Sequence, residues 1–477
     1  MLRTSSFIRH FFSTRTACSV PRKSLKETLK ELIPERKEKF LKLKKNYHNV
    51  EIGRITIGSV TTGMRGNKSI FWEGSTVDPN KGITFHGKTI GECQQQLPGD
   101  EFGYFHPEAI LWYLMTKQIP TSQQVQHLTE ELAERGSPKN FPELTSKIID
   151  MLPPDTHPMT QLAIGLASLS RNSKFASNYQ RGLISKDHYW EDTLEDSLNL
   201  ISFLPILTAK IYSKLVNGGK PLGEFSVKND WTLNICSLLG MSNGVHSSNH
   251  CNLNNEQSKD FLSLMRLYTG IHVDHEGGNV SAHATHLVNS ALSDPYLSYS
   301  SGIMGLAGPL HGLAAQEVVR FLVEMNSRIS SPQNTGEIEE YLWNILNSKK
   351  VIPGYGHAVL RIPDPRFTTM LKFAQSRTTE FENDENVILM QKLSTVVPDI
   401  LKEHGKCKNP FPNVDSASGI LFHHFGIKDL LFFTVIFGCS RSIGPLTQLV
   451  WDRIYGLPIE RPKSISLTTM QNLCYQS

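Results

Sequence analysis

At 477 residues the chain is too long for one minimal core, so a large domain with a smaller one is the natural expectation. Apolar residues make up 39% and charged residues 20% with no low-complexity tract, which excludes a disordered or fibrous chain. The formal charge of +4 is exceeded by basic residues near the start, Arg3, Arg9, Arg15, Arg22, Lys23 and Lys26. The body beyond them is near neutral and carries no nucleic-acid footprint.

The opening stretch is rich in Ser and Thr, contains Leu2, Phe7, Ile8, Phe11 and Phe12, and has no acid before Glu27. An Arg-rich, acid-free, amphipathic start predicts a mitochondrial presequence over 1–22 and a matrix destination; a disordered basic tail is the alternative. Ser477 at the C-terminus closes Cys474-Tyr475-Gln476, not a peroxisomal ending, which favours mitochondria. The cysteines Cys18, Cys93, Cys236, Cys251, Cys407, Cys439 and Cys474 are scattered without a C-x-x-C pair. This is thiol usage in a reducing compartment, without a disulfide framework or zinc knuckle.

In chain order, Ser24 to Glu27 reads as a capping box opening a helix that Pro34 interrupts and the Lys-rich stretch from Arg36 to Lys45 continues. Residues 50 to 90 hold the only convincing β material, Val50 to Ile57 and then Ile70 to Trp72, small strands with Gly-rich turns between them. From about residue 105 the apolar spacing predicts helices: Pro107 to Thr116, Gln123 to Glu134, Met159 to Ser170, Asp192 to Leu215, Lys259 to Ile271, Gly312 to Met325, Ile338 to Leu346, Val387 to Leu401 and Lys428 to Cys439. The fold class is mainly α with a minor β element. The apolar run Leu430 to Cys439 is about half the ~20 residues a bilayer crossing needs, so it reads as a core helix with no membrane partner. No fixed-period repeat is present. A change of character near His311 and a return to apolar sequence after about 425 divide the chain into 23–312 with 426–477, and a smaller helical domain over 313–425.

Three Gly/Pro-punctuated segments each present a titratable group. His311 follows Gly308, Pro309 and Leu310 and begins a helical stretch, where the positive helix end leaves a neutral ring able to hydrogen-bond a developing oxyanion. A plain capping histidine is the alternative. His357 closes the glycine loop that starts at Val351 and contains Pro353, Gly354, Tyr355 and Gly356. Arg361 and Arg366 follow, either as forked anion donors or as surface salt bridges. Asp415 follows Pro412, Asn413 and Val414, and such a carboxylate is either a base for an acidified C–H or a helix N-cap. His272, His275, His283 and His286, with Asp274 and Glu276 adjacent, admit a metal-dependent hydrolase as a reading from another class. Gly277 and Gly278 separate the two pairs, and neither an HExxH motif nor a cysteine partner is present, so no metal is expected.

Taken together the segments Val273 to His283, Gly308 to Gly312, Val351 to Arg361, Asp364 to Arg366, Pro412 to Asp415 and Glu460 to Lys463 occur in the order found in the citrate synthase family. The chain resembles its eukaryotic mitochondrial type from about Ser24 to Lys463, and most of all the fungal branch that makes 2-methylcitrate as well as citrate. The resemblance implies a homodimer of mainly α subunits whose small domain closes over oxaloacetate and creates the acyl-CoA site, with no cofactor beyond the acyl-CoA substrate. It implies that Asp415 takes the acyl α-proton, His311 donates to the thioester oxygen, and His357 polarises the oxaloacetate ketone. His275, Arg366 and Arg441 match dicarboxylate ligands, and Arg461 matches the one lent by the partner subunit. Arg65, Lys186, Arg361 and the loop residues Val351, Pro353, Gly354, Tyr355 and Gly356 match CoA contacts. The products would be 2-methylcitrate and citrate, from propionyl-CoA and acetyl-CoA; a strict citrate synthase of the tricarboxylic acid cycle is the alternative.

Three departures bear on the substrate. Ala315 stands where the family usually has asparagine, Ser416 and Ala417 stand where citrate-forming relatives usually carry Ala-His, and Lys186 replaces an arginine. The first two sit beside catalytic groups, and one methyl is worth only ~1 to 3 kcal/mol of discrimination, so small pocket changes suffice to admit propionyl-CoA.

Overall fold

Ser24 opens the first helix as predicted: its Oγ accepts from the Glu27 backbone N–H, and the Glu27 carboxylate takes the Ser24 N–H at 2.7 Å. This helix, α1 (Leu25–Asn46), runs through Pro34 without breaking, contrary to the expected interruption. Pro34 and Lys30 are both exposed, so the Lys30 carbonyl that loses its donor is open to solvation. The computed structural model describes residues 23–242 and 253–476, so the expected presequence over 1–22, Cys18 and Cys251 lie outside the described residues.

The β material lies within the expected 50–90 window, but not in the two stretches expected to form it. Val50, Ile52 and Ile55 are 60%, 69% and 68% exposed in unpaired backbone, Ile57–Thr61 is a short helix, and Ile70 to Trp72 is in no strand. Alternating β-branched residues satisfy a strand pattern, yet without a partner edge the pattern has nothing to pair with. The sheet is instead an antiparallel meander of β1 (Ser75–Asp78), β2 (Gly82–Phe85) and β3 (Lys88–Thr89), with Ser75 opposite Phe85 and Phe85 opposite Lys88. Its first turn is made by Asp78, whose Oδ1 accepts from the N–H groups of Asn80 at 2.8 Å and Lys81 at 2.9 Å.

Beyond the sheet the chain is helical, as the spacing predicts. The helices that position the site are α2 (Pro107–Thr116), α3 (Pro158–Leu169), α4 (Tyr189–Asn217), α5 (Asn255–Ile271), α6 (Val280–Ser290), α7 (Pro295–Leu306), α8 (Ala314–Asn326), α9 (Pro365–Gln375), α10 (Glu385–His404), α11 (Asp415–His424), α12 (Phe433–Arg441) and α13 (Ile443–Tyr455). α4 is almost entirely buried, and α3, α7, α12 and α13 pack around it. The predicted Lys428 to Cys439 helix is a 3₁₀ turn, Leu430–Phe432, followed by α12. Residues Leu430–Tyr455 form the most apolar stretch among the described residues, and 83% of its most apolar window is buried inside the fold, so it is core in this structure. Between residues 314 and 424, α8, α9, α10 and α11 pack chiefly on one another, with α5 and α12 as neighbours.

Candidate active site

α5 ends at Ile271, and the turn after it is gripped from several sides. His272 donates from Nδ1 to the Tyr268 carbonyl at 2.8 Å while its ring stacks on Tyr268 at 3.9 Å. The fully buried Asp274 takes the indole N–H of Trp72 at 2.9 Å. From below, the Gly444 N–H bonds to the Val273 carbonyl at 3.0 Å. The sheet supplies the last grip: Ser75 Oγ accepts the Glu276 N–H at 2.8 Å, and Val77 donates its N–H to the Glu276 carboxylate. His275 is thereby fixed, and its Nε2 is buried with no protein partner. A buried polar atom so placed points to a ligand.

His311 stands in the turn between α7 and α8, three residues before the helix begins. The neutral ring expected from a helix end therefore has another cause. Burial, and then the Arg441 charge, lower its pKa to about 4. The Ser281 backbone N–H, which can only donate, is aimed at Nε2 from 3.3 Å, with Ser281 Oγ at 3.0 Å. Nδ1 consequently carries the hydrogen. Asn279 ties this pair to the previous turn, since its Nδ2 donates to the carbonyls of His275 at 3.0 Å and Glu276 at 2.7 Å.

His357 shows the same economy with the opposite tautomer. Its Nδ1 accepts from the N–H groups of Val359 at 3.1 Å and Leu360 at 2.9 Å, so Nε2 bears the hydrogen. Burial and the Arg366 charge lower its pKa, opposed by Asp364. Arg366 is itself buried and forked on Asp364, with Nε to Oδ1 at 3.1 Å and Nη2 to Oδ2 at 2.7 Å, so the surface salt-bridge alternative does not hold for it. Arg361 is exposed and curls back onto the carbonyls of Val359 at 2.9 Å and Leu360 at 2.7 Å.

Asp415 is the first residue of α11, inside the helix and one position past its N-cap Val414, which removes the N-cap alternative. Its backbone N–H bonds to Asn413 Oδ1 at 3.0 Å. Asn413 also joins the glycine loop, through its N–H to the Gly354 carbonyl at 2.9 Å and its Nδ2 to the Gly356 carbonyl at 3.1 Å. Desolvation raises the Asp415 carboxyl to about 6, with Arg366 opposing and Asp364 adding to the rise.

The His275 and His357 rings lie 5.6 Å apart. Arg441, 1% exposed, is fixed by its Nε to the His272 carbonyl at 2.9 Å and lies 4.8 Å over the Phe437 ring, which is 6.4 Å from His311. The Arg366 charge acts on His275, His357 and Asp415, and that of Arg441 on His275 and His311. His275, His311 and His357, all held neutral, thus lie with the Asp415 carboxylate within reach of the two guanidiniums Arg366 and Arg441, a set able to bind a dicarboxylate, donate hydrogen bonds to two separate oxygens and remove a proton.

Arg65, Lys186 and Arg461 are exposed, with Lys186 beside Gly456 at the end of α13. Val351 is 82% exposed, while Pro353, Gly354, Tyr355 and Gly356 are partly buried. Ala315 and Ala417 are buried, and Ser416 donates its hydroxyl to the Gly354 carbonyl. The four histidines of the metal reading part ways: His272 and His275 belong to the turn after α5, His283 pairs with Glu460 at 3.0 Å, and His286 pairs with Asp452 at 2.9 Å. Among the described residues no group of three or more His, Cys, Asp or Glu side chains has the arrangement of a metal site. Sequence reasoning missed Ser281, Asn279, Trp72 and Tyr268. The first two lie inside the Val273 to His283 segment, whereas Trp72 and Tyr268 carry no signal of their own.

Residues 63–463 match the family model described as citrate synthase, C-terminal domain. "Citrate synthase 3, mitochondrial" of Saccharomyces cerevisiae is 63% identical over 475 residues, covering 99% of this chain and 97% of that relative. "2-Methylcitrate synthase, mitochondrial" of Gibberella moniliformis is 49% identical, covering 93% and 90%. Among solved structures, citrate synthase from Pyrobaculum aerophilum superposes with a TM-score of 0.68 at 24% identity over 84% of this chain and 90% of that one. A citrate synthase from Thermoplasma acidophilum, solved in ternary complex with carboxymethyl coenzyme A and oxaloacetate, gives 0.66 at 20% identity over 86% and 96%. The chain is a mitochondrial enzyme of the citrate synthase family, a condensing transferase.

Proposed function

We propose that the protein condenses an acyl-CoA, propionyl-CoA as well as acetyl-CoA, with oxaloacetate and hydrolyses the resulting thioester, yielding 2-methylcitrate or citrate and CoA. The observation that supports this reading is the opposite tautomers of the buried His311 and His357, set beside a carboxylate, Asp415, that burial raises to about 6. Arg366, Arg441 and the unpartnered Nε2 of His275 hold the oxaloacetate carboxylates, and His357 Nε2–H polarises the ketone. Asp415 takes the acyl α-proton while His311 Nδ1–H stabilises the enolate oxygen. The enolate carbon attacks the ketone carbon, and the new alkoxide takes the His357 proton. Water then cleaves the thioester and releases CoA. A base of pKa about 6 is ionised at neutral pH yet far weaker than an ordinary α-C–H requires, so the step depends on enolate stabilisation by His311.

The acyl preference rests on the small side chains Ala315 and Ala417 next to catalytic groups and on the Gibberella relative. A strict citrate synthase is the second reading, favoured by the name of the Saccharomyces relative. Purified protein assayed with each thioester, with citrate and 2-methylcitrate separated, decides between them: negligible propionyl turnover reduces the protein to a citrate synthase.

The same proposal includes a matrix location, closure of 313–425 over oxaloacetate, CoA contacts from Arg65, Lys186 and Arg361, and a homodimer in which Arg461 enters the partner's cleft. The packed pair α6 and α7 supports the dimer. Val280 and Leu287 on one and Leu297 and Met304 on the other are spaced seven residues apart and 42% to 63% exposed, an apolar surface suited to a second copy. Sedimentation at micromolar concentration gives a dimer if this holds, and a monomer mass sinks it.

A further inference from the structure

The glycine loop is seated directly on the helix that bears Asp415. Gly354 has φ +82°, and a Cβ there would lie 2.5 Å from Ser416 Oγ, 2.9 Å from Val318 Cγ2 and 3.2 Å from Ser416 Cα. Only glycine brings the loop backbone this close to α11 and α8. The Gly354 carbonyl accepts twice, from the Asn413 N–H and from the Ser416 hydroxyl. The first bond belongs to a backbone pairing that continues through Gly356 N–H to the Phe411 carbonyl at 3.1 Å. The second is a side-chain bond from the first turn of α11, one residue after Asp415, and it is buried, with Ser416 4% exposed.

This geometry gives Ser416 a different task from sizing the acyl group. Its hydroxyl is committed to a loop carbonyl. An alanine here would leave the loop held by its backbone pairing and by the Asn413 side chain on the Gly356 carbonyl.

We propose that Ser416 is a positioning residue that fastens the 351–356 loop to the first turn of the Asp415 helix and thereby sets how tightly the CoA end of the thioester is held. The inference rests on the reading of that loop as a CoA contact. It assigns the departure at 416 to binding of the CoA end of the substrate, whereas acyl size is left to Ala315 and Ala417. Because the Gly354 carbonyl keeps its Asn413 partner, losing the hydroxyl orphans no buried acceptor, and the effect is that of one neutral hydrogen bond, roughly fivefold in affinity.

The test compares Ser416→Ala and Ser416→Cys with wild type in the full-length protein. Expected for Ser416→Ala is a KM raised about fivefold for acetyl-CoA and propionyl-CoA alike, with kcat within about twofold, and a Kd for free CoA in the presence of oxaloacetate raised by the same factor. Ser416→Cys, a weaker donor, falls between. The Kd for oxaloacetate alone stays constant. A changed acetyl-to-propionyl ratio, a fall in kcat at constant KM, or an unaltered Kd for CoA would each overturn the proposal. Absence of condensation by wild type would instead remove the proposed function, and the CoA Kd would still judge the loop contact.

Discussion

The backbone N–H of Ser281 is directed at Nε2 of His311, so the first turn of one helix selects the tautomer of a histidine thirty residues further on. The Nδ1–H left over is the only hydrogen the neutral ring can offer a thioester oxygen. His311→Ala removes it, and kcat is expected to fall on the order of 100- to 1,000-fold, the usual loss of one oxyanion donor. Oxaloacetate binding, measured by calorimetry, stays within a few-fold of wild type.

Asp415→Asn keeps the shape and removes the base. Turnover is expected to drop by at least roughly 1,000-fold, because the amide that replaces the carboxylate cannot accept the α-proton. Near-normal turnover of the asparagine variant is incompatible with the assigned role.

The raised pKa of the same residue has a consequence for pH. Only its ionised form accepts a proton, so kcat/KM is expected to rise about tenfold per pH unit below a midpoint near 6 and to level off above it. His311, held down near 4, remains neutral across this range and adds no limb. A profile from pH 5 to 8 on wild type checks both statements.

Gly444→Ala tests the seat of His275. Its Cβ would lie 2.6 Å from both the Val273 carbonyl oxygen and the Asp274 Cβ, contacts that only backbone movement relieves. A loss of about 1 to 3 kcal/mol is expected, read as a lowered Tm, together with weaker oxaloacetate binding as the His275 turn is displaced.

Exhaustive chelation is expected to leave condensation at full rate. Activity lost to chelator and restored by a divalent cation would bring back the metal-dependent reading of His272, His275, His283 and His286.

Most helices were legible because apolar residues recur at three-to-four spacing on elements that bury one face. α4 and α5 begin within about four residues of expectation, and α2 agrees at both ends. The strand positions differ because β-branched content is not sufficient: Val50 to Ile57 is rich in Val and Ile but faces solvent, whereas Ser75 to Thr89, with polar Thr76, Thr84 and Lys88, is paired because the Asp78 turn brings its halves together. At the site, His311, His357 and Asp415 were visible through their Gly and Pro neighbours. The cause of the neutral His311 was not, because burial enforces it first and the Arg441 charge second, and both arise only through folding, Arg441 being 130 residues away in sequence. Trp72, whose indole holds Asp274, was illegible for the same reason.

The short helix α6 carries two attachments. Its first turn orients His311 through Ser281, and its next turns hold the tail segment through His283 on Glu460, the neighbour of Arg461. In a dimer where Arg461 serves the opposite cleft, a lesion in α6 would injure its own subunit's proton donor and the other subunit's guanidinium together. Mixed dimers of wild-type and α6-damaged chains would then show dominant interference, and no arrangement of the two chains would regenerate one intact site.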